Sequence, residues 1–229
     1  MEDTPLASLS LTHVHYNPSD PISYLCAWLA LVPQGLCIVY ITLIWATREI
    51  EILLMFTGQM GCEALNLLLK RLIKEARPKQ MYHKGYGMPS SHAQFATFFS
   101  LTLALFLLLR HCPTPHSSKT HTPLTYPARA LLSVLSLLGA SLVSVSRIYL
   151  NYHTPKQVLV GCAAGALSAV AWFLVTEGAR RWGWVEWGLE LGVARMMRMR
   201  DLVLGEDLAD AGWERWEGER RRRREAKRR

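Results

Sequence analysis

The sequence contains no Cys-x-x-Cys pair, and its five cysteines (Cys26, Cys37, Cys62, Cys112 and Cys162) are odd in number. Neither a disulfide framework nor a zinc ribbon is supported. No cluster of carboxylates suggests a magnesium site, and no internal repeat is present. The first 20 residues hold acids but no Lys or Arg. They lack the basic start of a cleaved signal peptide, so the first apolar run is expected to stay in the membrane. No Asn-x-Ser/Thr acceptor occurs, since Asn17 is followed by Pro18.

What the chain has is segregation. Half of its 229 residues are apolar and 19 % are charged, and the mean hydropathy is only +0.10. That average hides long uncharged runs between Pro21 and Thr176, followed after Glu177 by a stretch dominated by Arg, Glu and Trp. Neither an ordinary soluble globule nor a disordered chain divides in this way. The net charge of +8 suits phosphate groups or anionic lipid. No stacking platform accompanies the basic residues, so nucleic acid is not an expected partner.

A spanning helix needs about 20 apolar residues. Five windows qualify: Ser23–Ala46, Ile52–Leu69, Ala93–Leu109, Ala130–Ser146 and Gln157–Thr176. Pro33 predicts a kink in the first. Gly161 and Gly165 predict close helix packing in the last. Glu63 and Asn66 in the second window are read as structural. The expected fold is therefore all-α, a polytopic bundle of about five membrane helices. Residues 1–22 form an N-terminal segment, residues 23–176 the membrane domain and residues 177–229 a tail. In the tail, Trp182, Trp184 and Trp187 suit an interface belt. Val185–Leu204 is expected to form an amphipathic helix on the surface, with a solvated, disordered basic terminus after it.

Counting crossings places the loop Lys70–Ser91 and the loop Arg147–Lys156 on one side. The Arg110–Arg129 loop and the tail fall on the other. The positive-inside rule puts the tail in the cytosol. His111, Cys112, His116 and His121 then lie on the side away from the two polar loops, in a Pro- and Thr-rich segment that is not expected to hold metal. His13 and His15 are read as surface residues.

The two far-side loops carry the chemistry. They give Lys70-x6-Arg77-Pro78, then Pro89-Ser90-Ser91-His92, then Ser146-Arg147-x5-His153 with Gln157 four residues on. Lys70, Arg77 and Arg147 are three fixed cations. Arginine presents planar forked donors that match phosphoryl oxygens, and lysine adds a point charge. Ser90 offers a hydroxyl, and the backbone at Ser91 and His92 opens a helix whose positive end favours an anion. His92 and His153 can divide the work of acid and nucleophile. With no metal expected, the cations take the role of charge clamp. The residues thus point to metal-independent phosphoryl transfer at a membrane face.

The same residues resemble the tripartite signature of the type 2 phosphatidic acid phosphatase superfamily: Lys-x6-Arg-Pro, Pro-Ser-Gly-His and Ser-Arg-x5-His-x3-Asp. The resemblance covers roughly Glu51 to Thr176. There are two departures. Ser91 stands for the family's Gly, and Gln157 stands for its Asp. In the family that Asp orients the nucleophilic histidine and stabilises its imidazolium. A Gln carbonyl can fix the tautomer but brings no charge. The stretch Ser146–Thr154 with Gln157-Val158, together with His83–His92, looks like the dolichyldiphosphatase branch, in which Gln takes that position.

The resemblance implies His153 as nucleophile, forming a phosphohistidine, and His92 as acid and then base. It implies phosphate binding by Lys70, Arg77, Ser90, Ser91 and Arg147, with Gln157 orienting the nucleophile and no metal or other cofactor. The implied substrate is dolichyl diphosphate, hydrolysed to dolichyl phosphate at the luminal face of the endoplasmic reticulum, where the carrier is recycled for N-glycosylation. The lipid bilayer is the other implied partner; no protein partner is indicated. The alternatives are a phosphatase for phosphatidate or an isoprenoid phosphate, and a non-catalytic membrane protein that binds lipid phosphates.

Overall fold

The computed structural model describes residues 7–9, 14–78, 85–113, 123–210 and 212–227, apart from the side chains of Ala7, Ser8, Leu9, Glu214 and Arg215. The chain begins with a short antiparallel pair, β1 (Ala7–Leu9) and β2 (Val14–Tyr16), in which Ala7 faces Tyr16. These six residues form the one sheet among the described residues of an otherwise helical fold. Asp20 then caps α1 (Pro21–Leu29), accepting from the N–H of Ile22 at 2.9 Å.

The first crossing is made by α1 and α2 (Val32–Thr47) together. The discontinuity falls at Ala30–Leu31, just before Pro33. Pro33 sits in the first turn of α2, where its missing N–H costs no intrahelical bond. The other crossings are α3 (Ile50–Ile73), α4 (Ser91–Leu105) with a π turn at Phe106–Arg110, α5 (Tyr126–Tyr149) and α6 (Pro155–Arg181). The five spans run to between 20 and 27 residues, long enough and apolar enough to cross a membrane. Each extends a few residues beyond its apolar window, because polar residues at the ends continue the helix. In particular α6 runs on to Arg181, past the expected boundary at residue 176.

The central helix is α4: 56 % of an 18-residue apolar stretch of it is buried, against 33 % or less for the same length in the others. Small side chains let neighbours approach it. Ala93 and Ala96 are buried on α4, and on α6 Gly161 and Gly165 lie against the carbonyls of Ser90 and Gln94. Leu135, Leu159 and Leu167 point outward and are exposed, as lipid-facing side chains should be. Some polar groups inside are paired across helices, as a bilayer favours. Asn66 Nδ2 donates to Gln94 Oε1 at 2.7 Å, and Gln94 Nε2 donates to the Cys62 carbonyl at 2.9 Å.

The opposite end of the bundle is tied by ions. Glu51 receives Arg110 at 2.6 Å and Arg180 at 2.5 Å, and Arg180 also pairs with Asp201 at 2.6 Å. The tail corrects two expectations. Val185–Leu204 is not one surface helix. It breaks into α7 (Trp184–Glu190) and α8 (Gly192–Met196), with Leu191 non-helical between them. Residues 200–204 then return to the bundle. Arg200 pairs with Glu49 at 2.8 Å, and Val203 is buried beside Tyr40, Ile52 and Phe106. The basic terminus is a helix, α9 (Trp213–Ala226), rather than an irregular end. Trp182, Trp184 and Trp187 are exposed. His111 is a strut: its Nδ1 meets the Val203 carbonyl at 2.8 Å and its Nε2 meets Asp207 at 2.9 Å. His15 is half-buried, with its backbone N–H on Tyr152 Oη. His13, His116 and His121 lie outside the described residues.

Candidate active site

Three chain segments meet at the end of the bundle opposite the ion ties. The last turn of α3 carries Lys70, and the left-handed Lys74 stops the helix. The chain then runs through Glu75, Ala76 and Arg77. It is recaptured after the loop by the N–H of Gly87, which donates to the Glu75 carbonyl at 2.8 Å. Ser90 is extended and opens α4, so His92 lies in the first helical turn. Arg147 lies in the last turn of α5 and is only 2 % exposed.

The α5–α6 turn is built to present His153. Asn151 takes the left-handed conformation, and the N–H groups of Tyr152 and His153 both donate to the Arg147 carbonyl, at 3.0 and 3.2 Å. Thr154 and Gln157 then form a reciprocal capping box at the start of α6. The peptide N–H of Ser90 donates to the Gln157 carbonyl at 3.1 Å, joining the second segment to the third.

A polar cleft of about 160 Å³ lies between these segments, lined by Arg77, Ser91, His92, Arg147 and His153. Val14, Ala30, Gln34 and Tyr152 complete its wall. Lys70 and Ser90 are not on the wall. Lys70 acts on both histidines through its charge. Ser90 Oγ is buried without a hydrogen-bond partner, as is Arg77 Nε. Unpaired buried donors of this kind are costly unless an anion takes them up.

Each histidine has one nitrogen engaged. His92 Nε2 lies 3.2 Å from the Ala30 carbonyl, which can only accept, so Nε2 carries a proton. His153 Nδ1 lies 3.2 Å from Gln157 Oε1. That assignment is secure because Gln157 Nε2 faces two acceptors, the Ala76 carbonyl at 2.8 Å and Glu75 at 3.1 Å. His153 therefore donates through Nδ1 and carries its lone pair on Nε2, with the Gly87 backbone also close to the ring. Burial, then the charge of Arg77, pushes the His153 imidazole down to about 4, so it is neutral at physiological pH. Burial also lowers the Arg77 guanidinium from its ordinary value.

Arg147 donates to the Cys26 carbonyl at 3.2 Å and to Ser146 Oγ at 3.3 Å, over the Tyr152 ring at 5.3 Å. Part of its fork is spent on position, and the rest faces the cleft. Sequence reasoning missed Tyr152, the Ala30 carbonyl and Glu75. The first two carry no motif of their own. Glu75 could have been noticed as the one acid between Lys70 and Ser91.

Several known proteins resemble this chain. The chain is 50 % identical to a Neurospora crassa protein named "Putative dolichyldiphosphatase", with 99 % of this chain and 97 % of that protein covered. It is 42 % identical to Dolichyldiphosphatase 1 of Homo sapiens over 74 % of this chain and 71 % of that one. It is 31 % identical to the Dolichyldiphosphatase of Saccharomyces cerevisiae, with 83 % and 79 % covered. Among solved structures, the transmembrane PAP2 type phosphatidylglycerolphosphate phosphatase from Bacillus subtilis shares the fold. Its TM-score is 0.52 at 24 % identity, covering 69 % of this chain and 74 % of that one. The model of the PAP2 superfamily matches residues 50–181, a stretch that holds every polar residue singled out above from Lys70 to Gln157, and the chain is a member of that superfamily.

Proposed function

We propose that this protein hydrolyses dolichyl diphosphate to dolichyl phosphate and phosphate. The observation that carries the reading is the pair His153 and Gln157. A neutral imidazole, its tautomer fixed by a buried amide, opens its Nε2 onto a cleft walled by arginines. That is a nucleophile set for a phosphoryl group. Relatives named for dolichyl diphosphate hydrolysis support the substrate.

In this mechanism His153 Nε2 attacks the terminal phosphorus. The bond from phosphorus to the bridging oxygen breaks, and the departing dolichyl phosphate takes the Nε2 proton of His92, which enters this step as the imidazolium and leaves it as the neutral ring. The phosphohistidine is then attacked by water, which gives its proton to His92. The N–P bond breaks, and phosphate leaves. Arg77, Arg147 and Lys70, with the Ser90 hydroxyl and the amides at Ser91 and His92, bear the charge on the equatorial oxygens. They do so without a divalent ion.

The cleft faces the lumen of the endoplasmic reticulum and the tail faces the cytosol, a placement supported by the excess of basic residues on the tail side. Recycling the carrier for N-glycosylation follows from that placement. The purified protein should be assayed against dolichyl diphosphate, phosphatidate and a sphingoid phosphate in one detergent. The diphosphate should show the highest kcat/KM. Preference for a monophosphate would redirect the substrate, and no turnover of any member of the panel would favour a binding protein.

A further inference from the structure

Gln157 is held at both ends of its amide. Oε1 faces His153 Nδ1 at 3.2 Å and accepts the Thr154 N–H at 3.3 Å. Nε2 donates to Glu75 Oε1 at 3.1 Å and to the Ala76 carbonyl at 2.8 Å. The second oxygen of Glu75 accepts from Lys156 Nζ at 3.0 Å. A continuous hydrogen-bonded chain thus runs from the imidazole through the amide to a carboxylate.

We propose that Glu75 is a positioning residue that supplies, through the Gln157 amide, the negative charge which Gln157 itself lacks. The inference rests on His153 acting as the nucleophile. A carboxylate at the N–H end of an amide polarises it and makes its carbonyl end a stronger acceptor. As Nε2 bonds to phosphorus, positive charge grows on the ring and the Nδ1–H bond to Oε1 tightens. The charge stands two hydrogen bonds from the ring, so an incoming diphosphate meets less repulsion than a carboxylate in contact would exert.

The surroundings make Glu75 distinctive. His153 faces Lys70 from α3, Arg77 from the following loop, His92 from α4, and Arg147 and Tyr152 at the end of α5. These are cationic or neutral. Glu63, further back on α3, acts on Lys70. Glu75 itself is held below the usual carboxylate range by its bonds to Lys156 and then Gln157, so it is ionised near neutral pH.

A merely structural Glu75 would tether the Arg77 loop to α6 through Lys156. Two substitutions separate the roles. Glu75→Gln keeps an acceptor for Gln157 and removes the charge, whereas Lys156→Met removes the tether and keeps the charge. With dolichyl diphosphate and the purified full chain, Glu75→Gln should lower kcat about tenfold and leave KM within about twofold. It should also move the acid limb of the kcat/KM profile to lower pH by about half a unit, because the imidazole loses a nearby anion. Lys156→Met should stay within about twofold of the unaltered protein. In a Gln157→Ala background, Glu75→Gln should add nothing, since the relay is already cut.

Unchanged kcat and pH profile in Glu75→Gln would overturn the proposal. Equal losses in the two single variants, or additive losses in the Gln157→Ala background, would overturn it too. Failure of the unaltered protein, assayed alongside, to release phosphate from dolichyl diphosphate would remove the reading beneath it instead.

Discussion

The backbone N–H of Ser90 and the carbonyl of Gln157 meet at 3.1 Å. This one contact fixes the start of α4 against the start of α6, and so fixes His92 relative to His153. Gly161, one turn along α6, makes the approach possible: a Cβ there would stand 2.6 Å from the Ser90 carbonyl oxygen. Backbone rather than a flexible side chain would have to move. Gly161→Ala should therefore lower stability by about 1–3 kcal/mol and remove most activity. Gly178→Ala on the same helix meets nothing within 4 Å and should leave both unchanged or slightly improved. Thermal midpoints and turnover measured on the pair would check this; equal behaviour would refute it.

Replacement of His153 by Ala should abolish phosphate release while the protein still purifies as a folded membrane protein. The attacking atom is gone, and the cationic cleft alone cannot replace it. His92→Ala should be nearly as damaging, but it should leave the first step partly open. Rapid quenching with a labelled substrate should then trap phosphate on His153 in His92→Ala and none in His153→Ala. Label on both, or on neither, would contradict the assignment of roles.

Chelation should leave turnover intact, because fixed cations at Lys70, Arg77 and Arg147 take the place of a divalent ion. Vanadate should inhibit competitively, since it adopts a trigonal-bipyramidal geometry and can bond to an imidazole nitrogen. Activity that collapses in EDTA and returns with magnesium would be incompatible with the proposed mechanism.

The pH dependence of stability follows from His153. Its imidazole takes up a proton near 6.5 in the unfolded chain and near about 4 in the folded one. Between those values the unfolded state binds more protons, so stability falls as the pH drops through the window and levels off below it. The full loss from this group is about 3.5 kcal/mol at most, at roughly 1.4 kcal/mol per pH unit. The thermal midpoint should fall more steeply from pH 6.5 to 4 than that of His153→Gln. Parallel slopes would show that His153 does not titrate in this way.

Much of the fold could be read from residue order because a bilayer allows few solutions. Apolar runs near 20 residues mark the crossings, and loop parity brings Lys70, Arg77, His92, Arg147 and His153 to one face. The structure adds what runs and parity do not encode. Val185–Leu204 has the composition of a surface helix, yet Leu191 breaks it. Its last residues pack back because Glu49, 153 positions away from Leu202, accepts their N–H groups. The partners of Glu51, Arg110 and Arg180, likewise, are distant in sequence. Within the site, Glu75 stands out in the sequence as a lone acid, but its bond to Gln157, 82 positions away, does not. Nothing in a lone acid beside a motif indicates that it reaches the nucleophile through an amide.

The 24 residues of α3 contain no proline and, at about 1.5 Å each, form a rod of about 36 Å. Glu49 and Glu51 at its lower end are gripped by Arg200, Arg110 and Arg180, and Lys70 rides near its upper end. A helix resists twisting about its own axis, so a grip at one end sets the bearing of whatever the other end carries. The returning tail thus acts as a keyway: it stops α3 from spinning and, from the far side of the bilayer, holds the heading of a charge at the cleft.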